Sequence, residues 1–413
     1  MSTAIVVGAT GIIGRAIVER LIQDESISVI YTLSRKPGGH THAHPKVRHA
    51  FLDLRASAQN MAIGLAGVSG TYIFFSAYTS VSDPEEMFKI NNDMLTNFLT
   101  AVEITGATKS IKRFILTCGL KQYGCHLGES KQPMVESDPL LTDDVGGVKW
   151  PANFYYTQQK ELAQAASKHG FEWICTLPKD VIGYAKGNFM NQATALGLYC
   201  AVSRALPGSV LPYPGSRDNF YSFNTWTSSD LHAKFCLWAA KATEPGVGNN
   251  VFNVVNGDTE TWQALWPRLA ERFGLTIPDA PFTTAEKSTD SSTFQLSTVQ
   301  PLAANARALG ISKDEKVSTP AIIDVKIDFA KWAKRPDVLE AWETIRDQYG
   351  LDQSAWDNAT WDFMNVAFGR HFSTVASMSK ARKLGWTGYE DTWDSFDRTF
   401  RILEEEEILP GRT

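Results

Sequence analysis

Tyr156 and Lys160 stand four residues apart in Asn153-Phe154-Tyr155-Tyr156-Thr157-Gln158-Gln159-Lys160. On a helix this spacing puts a phenol and an ammonium on one face. The ammonium stabilises the phenolate, so the pair can hold or move a proton beside a reacting carbonyl. The plain alternative for Tyr156 is an aromatic packed against Phe154 and Tyr155. Chance produces Tyr-x-x-x-Lys often, and the pair gains weight from what stands upstream. Val6-Val7-Gly8-Ala9-Thr10-Gly11-Ile12-Ile13-Gly14 follows an apolar run from Ala4. Its glycines predict a strand turning sharply into a helix whose bare amides face a dinucleotide pyrophosphate. Gly8 allows the turn, Gly11 the approach of the phosphates, and Gly14 the close packing of helix on sheet. Thr10, Ile12 and Ile13 complete that loop.

A second strand, Ile27 to Leu33, ends in Ser34-Arg35-Lys36. An acidic residue near this strand end would accept a hydrogen bond from a ribose 2′-hydroxyl. The hydroxyl and two cations found here suit a 2′-phosphate instead, so NADPH is expected over NADH. Asp53 and Leu54, ending the third strand, are expected beside adenine, and Ser76 and Ala77, ending the fourth, near a ribose. Thr117, Tyr156 and Val181 complete the expected cofactor site. His40, His42 and His44 alternate in a loop with no neighbouring carboxylate or cysteine, so no metal is expected, because a structural zinc wants four converging ligands.

These groups need a frame to hold them. Short apolar runs at Val47 to Leu52, Gly70 to Phe75, Arg113 to Thr117 and Glu172 to Leu177 alternate with helical periodicity at Arg15 to Gln23, Met87 to Ile104 and Tyr155 to His169. Strands alternating with helices predict an α/β, doubly wound parallel Rossmann sheet over 1–182, with a returning segment near 225–258 containing a strand at Phe252 to Val255. Segments 183–224 and 259–413 are expected to form a smaller, mostly helical substrate-capping lobe. It would contain helices at Asn188 to Leu206 and Trp262 to Phe273 and a largely helical stretch over 320–405. The 413 residues, net charge of −5 and mixed-sign surface argue against nucleic acid or an anionic membrane as partner. No apolar run approaches the ~20 residues of a membrane span, and no leader precedes the first strand. Five cysteines in irregular spacing point to reduced thiols and a cytoplasmic setting. The assembly stays open, a homodimer being one choice.

Ordinary short-chain reductases also carry a Ser or Thr at the end of the strand before the tyrosine. Here that stretch reads Thr117-Cys118-Gly119-Leu120-Lys121-Gln122-Tyr123-Gly124, with Gly119 at the hydroxyl's place and Lys121 just downstream. This stretch and Asn153 to Thr157 resemble the progesterone 5β-reductase/iridoid synthase-like enzymes, atypical extended short-chain dehydrogenase/reductases. The likeness continues at Asn92 to Asn97, Met190-Asn191, Asn253 to Asp258 and Ser377 to Arg382. It implies an NADPH-dependent 1,4-reduction of an enone or enal in a small apolar substrate of terpenoid or polyketide kind. Tyr156 would hydrogen-bond the carbonyl oxygen as enolate charge builds, and Lys121 would lend positive potential. Gln122 stands where the family has histidine, and Lys160 supplies a lysine that the family lacks after its tyrosine. With Lys160 a second catalytic candidate, carbonyl reduction or epimerase/dehydratase chemistry by Tyr156 and Lys160 is the alternative. A non-redox NADP-binding cyclase or sensor is the third reading. Tyr123, Cys125 and His126 are further candidates to face substrate.

Overall fold

The computed structural model describes residues 1–35, 43–187, 192–279, 282 and 290–411. Seven strands form a parallel sheet: β1 (Ser2–Val7), β2 (Ile27–Ser34), β3 (Val47–Phe51), β4 (Tyr72–Phe75), β5 (Arg113–Thr117), β6 (Glu172–Pro178) and β7 (Asn250–Val254). Their spatial order is β3-β2-β1-β4-β5-β6-β7. Ala4–Val7, Ile73–Phe75 and Phe114–Leu116 are almost wholly buried, as continuous apolar runs are when helices cover both faces.

The register aligns the carboxyl ends of the strands. Val7 pairs with Leu33 on one side and Phe75 on the other, Phe75 with Leu116, and Thr117 with Thr176. The residues following each strand therefore meet along one edge, and the winding reverses between β1 and β4. An open α/β sheet binds its ligand at such a switch point.

A second apolar cluster lies on that side of the sheet. It is built from helices Gln192–Ala205, Trp262–Phe273, Pro336–Tyr349, Trp361–Gly369 and Thr392–Glu405, with Trp262, Trp266 and Trp342 fully buried. Two features depart from the sequence-based expectation. Residues 320–405 do not begin as helix: Pro320–Val325 pairs antiparallel with Ser292–Val299. The alternation of buried Ala321, Ile323 and Val325 with exposed Ile322 is the strand period, read too coarsely in a helix-rich window. Further, Ala376, Met378, Ala381 and Trp386, expected in the capping lobe, belong to the sheet's own core. The Trp386 ring lies 5.1 Å from Phe235 and 5.6 Å from Trp238, both on the helix Ser229–Lys241.

Candidate active site

The loops leaving the strands enclose a cavity of about 1340 Å³, closed on its far side by the helical lobe. A drug-sized ligand occupies a pocket of roughly 300–1,000 Å³, so there is room here for a cofactor and a substrate together. At one end lies the glycine turn. Gly8 has φ +79°, and a Cβ there would sit 2.9 Å from the backbone nitrogen of Ala77. A Cβ on Gly14 would come within 2.2 Å of the carbonyl oxygen of Gly8. Gly14 therefore packs the helix Ile12–Gln23 onto the turn and does not itself line the cavity. Gly11 is that helix's N-cap and offers no side chain to its free amides, whereas Asn153, Ser228 and Thr261 cap theirs. The uncapped first turn and the cradle that a Cβ would fill both fit a pyrophosphate.

Thr10, Ile12 and Ile13 line the cavity beside this turn. Ser34 and exposed Arg35 border its outer end, and the Ser34 hydroxyl lies 3.2 Å from His49 Nε2. Lys36 lies outside the described residues, as do His40, His42, Met190 and Asn191. Asp53 and Leu54 form a neighbouring wall, with the Asp53 carboxylate accepting from the Arg55 amide at 3.0 Å. Ser76 and Ala77 follow, the Ser76 hydroxyl donating to the Val7 carbonyl at 3.0 Å. Thr117 and Val181 line the inner end.

The placement of the tyrosines requires a correction. Tyr156 does not line the cavity: its hydroxyl donates to the Gln122 carbonyl at 2.7 Å and accepts from the Leu141 amide at 3.2 Å. Lys160 is exposed and away from the cavity, so the Tyr156–Lys160 pair is not assembled there. Successive helix residues point about 100° apart, and it is the preceding tyrosine that turns inward. Tyr155 is buried in the cavity wall, and its hydroxyl lies 3.3 Å from where a Cβ on Gly119 would stand. The missing side chain at 119 thus leaves the space beside this phenol clear. Burial raises the Tyr155 pKa well above the usual phenol range, which keeps its proton on. One turn after Tyr155 comes Gln159, whose amide donates to Gln122 Oε1 at 2.9 Å. At the same spacing Tyr155 is thus followed by Gln159 and not by a lysine.

Lys121 does line the cavity. Its ammonium reaches the Tyr78 hydroxyl at 3.5 Å and lies 5.7 Å from the centre of that ring. Asn153 ties the two groups together: its Nδ2 donates to the Lys121 carbonyl at 2.8 Å while its Oδ1 accepts from the Tyr155 amide at 3.0 Å. Of the residues expected to face substrate, Cys125 and His126 line the cavity. Desolvation by the surrounding loop, aided by the Lys121 charge, lowers the His126 pKa, although the side chain is exposed on the cavity surface. Tyr123 instead lies in the core, donating to Asn253 Oδ1 at 2.8 Å. Three charged residues that the sequence analysis did not single out complete the wall. Lys179 Nζ and Arg370 Nη2 reach the same oxygen of Asp180, at 2.9 and 3.2 Å. The signal for the first two was their position, directly after β6 on the ligand-binding edge. Arg370 lies far along the chain, and nothing local pointed to it.

Compared with known proteins, residues 49–291 match the family described as PRISE-like Rossmann-fold domain. The chain is 36% identical to an uncharacterized protein of Schizosaccharomyces pombe over 412 residues, 98% of each chain. It is 26% identical to the (S)-8-oxocitronellyl enol synthase of Camptotheca acuminata, over 99% of this chain and 93% of that one. Among solved structures, the Bordetella bronchiseptica enzyme WbmG in complex with NAD and UDP superimposes with a TM-score of 0.58 at 11% identity, covering 99% of this chain and 96% of that one.

Proposed function

Because the chain belongs to the PRISE-like Rossmann-fold family, we propose that it uses NADPH to reduce the conjugated carbon–carbon double bond of an enone or enal. As a member of the short-chain dehydrogenase/reductase superfamily it is an oxidoreductase. The observation carrying the finer reading is the Tyr155 phenol standing in the cavity beside a position, Gly119, that has no hydroxyl of its own. Gly8, Gly11 and the first turn of the helix after them would hold the pyrophosphate, and Ser34 and Arg35 the 2′-phosphate. When bound, NADPH supplies a hydride to the alkene carbon remote from the carbonyl.

Tyr155 donates a hydrogen bond to the carbonyl oxygen, where negative charge grows as that carbon is reduced. A donor that keeps its proton and is already oriented stabilises this charge without reorganising during the reaction. Lys121 adds positive potential from the same wall, and Asn153 holds the backbones of both. The Camptotheca relative is named for making an enol, and 1,4-reduction of a conjugated carbonyl passes through an enol or enolate. The alternative of carbonyl chemistry by Tyr156 and Lys160 loses its footing because neither side chain faces the cavity. Following NADPH oxidation with cyclohexenone and cyclohexanone tests the reading. Turnover of the enone with little of the ketone is expected, and turnover of the ketone alone rejects it.

A further inference from the structure

Just past β6 the cavity wall carries two cations and one carboxylate, Lys179, Arg370 and Asp180. Lys179 and Arg370 share one carboxylate, that of Asp180. Both cations are more than nine-tenths buried, at 3% and 8% exposure, and both line the cavity. Of the Arg370 guanidinium, only Nη2 has an acceptor among the described residues, and Nε is buried without one. The Lys179 ammonium already has Asp180 and the face of Trp226, 5.2 Å from the ring centre. Asp180 itself is held at φ +33°, a conformation that side-chain-bearing residues adopt at a cost. A buried guanidinium whose fork is half used leaves donors that water or a ligand must satisfy. The helical lobe contributes the apolar Leu339, Trp356, Trp361 and Phe363 to the wall, with Asp357 and Asp362 between them.

The geometry points to a substrate with an apolar body and an oxyanion, carboxylate or phosphate, that binds Arg370 with Lys179 behind it. This names the substrate class for the enone-reduction reading and rests on it, since the same cavity holds both ends of the molecule. Arg370 comes from the helical lobe but meets Asp180 just past β6, on the sheet edge that also carries Tyr155 and Lys121. An oxyanion held there would fix one end of the molecule and leave its conjugated carbonyl to reach Tyr155 in the same cavity. A planar guanidinium suits a carboxylate or phosphate through paired N–H donors, and burial strengthens the attraction.

Binding of non-reducible probes to the full-length protein saturated with NADP⁺ tests this without requiring turnover. Octanoate, octyl phosphate and methyl octanoate share a chain and differ in the head group. At least about tenfold tighter binding of octanoate or octyl phosphate than of the ester is expected by calorimetry, and the better of the two identifies the oxyanion. Arg370→Met should bring that ratio close to one, and Arg370→Lys should restore part of it. NADP⁺ binding by each variant shows that it is folded. Equal affinities for all three probes in the unaltered protein overturn the proposal, as does a preference that survives Arg370→Met. An oxyanion preference without enone turnover would sink the reductase reading and leave the anion site standing.

Discussion

A phenol stabilises an enolate only when its oxygen faces the space where that charge develops. Tyr155 lines the cavity in which that charge is proposed to develop. Tyr156 spends its hydroxyl on the Gln122 carbonyl and the Leu141 amide. Tyr155→Phe is therefore expected to lower kcat for an enone by about 100-fold or more, the usual loss on deleting one such donor. NADPH affinity should stay within a few fold. Tyr156→Phe should leave kcat nearly unchanged and cost about 1–3 kcal/mol of stability, because the Leu141 amide is left without its acceptor. Stopped-flow turnover and urea melts on the two variants separate the roles, and a kcat collapse confined to Tyr156→Phe would reverse them. On the cofactor side, Arg35 stands on the wall where the 2′-phosphate is proposed to lie. Arg35→Ala should raise KM for NADPH by about tenfold while leaving NADH little changed, a charge-assisted hydrogen bond being lost from one and not the other. Equal losses for both would refute the preference.

Among elements, the helix Ser229–Lys241 shows how burial couples folding to protonation. His232 on it is fully buried, lies 3.0 Å from Thr176 Oγ1 of β6, and has its pKa pulled down to about 3 by desolvation. That pKa is lower folded than the ~6.5 of an unfolded histidine. Above ~6.5 both states are neutral and the group contributes no pH dependence. Below it the unfolded chain binds a proton that the folded one refuses, so stability falls as the pH drops from ~6.5 toward the folded value. Urea midpoints between pH 7 and 4.5 should decline, with a shallower slope in His232→Gln, and a slope unchanged by that substitution would contradict the assignment. The first helix depends on geometry instead. Its Gly14 has no room for a methyl, so Gly14→Ala should move the helix off the Gly8 turn and weaken dinucleotide binding and stability together.

At the scale of the whole molecule, the chain does not divide at one point into sheet and lobe. After the lobe helix Trp361–Gly369, residues 376–386 return to the sheet's core before the chain re-enters the lobe with Thr392–Glu405. Trp386→Ala should therefore destabilise the nucleotide-binding half by about 3–5 kcal/mol although it lies in the last tenth of the chain. A loss of NADPH affinity tracking the fall in Tm would show the coupling, and a melting change restricted to a separate lobe transition would deny it. This interleaving also places Arg370 against Asp180, closing the cavity with a cation from the opposite half.

Much of this was legible from residue order because the relevant physics is local. Glycine spacing, strand-length apolar runs and helical periodicity act over a few residues, so the sheet, its glycine turn and the helix Trp262–Phe273 could be read directly. The hydroxyl missing at Gly119 and the lysine at 121 were visible for the same reason. The tertiary structure alone decided which of two adjacent tyrosines turns inward, because a one-residue step rotates a helix side chain by about 100° and only packing selects the angle. It alone decided that Arg370 meets Lys179 and Asp180. Their separation along the chain carries no information about distance in space, and a long-range ion pair is set by how the two halves close on each other.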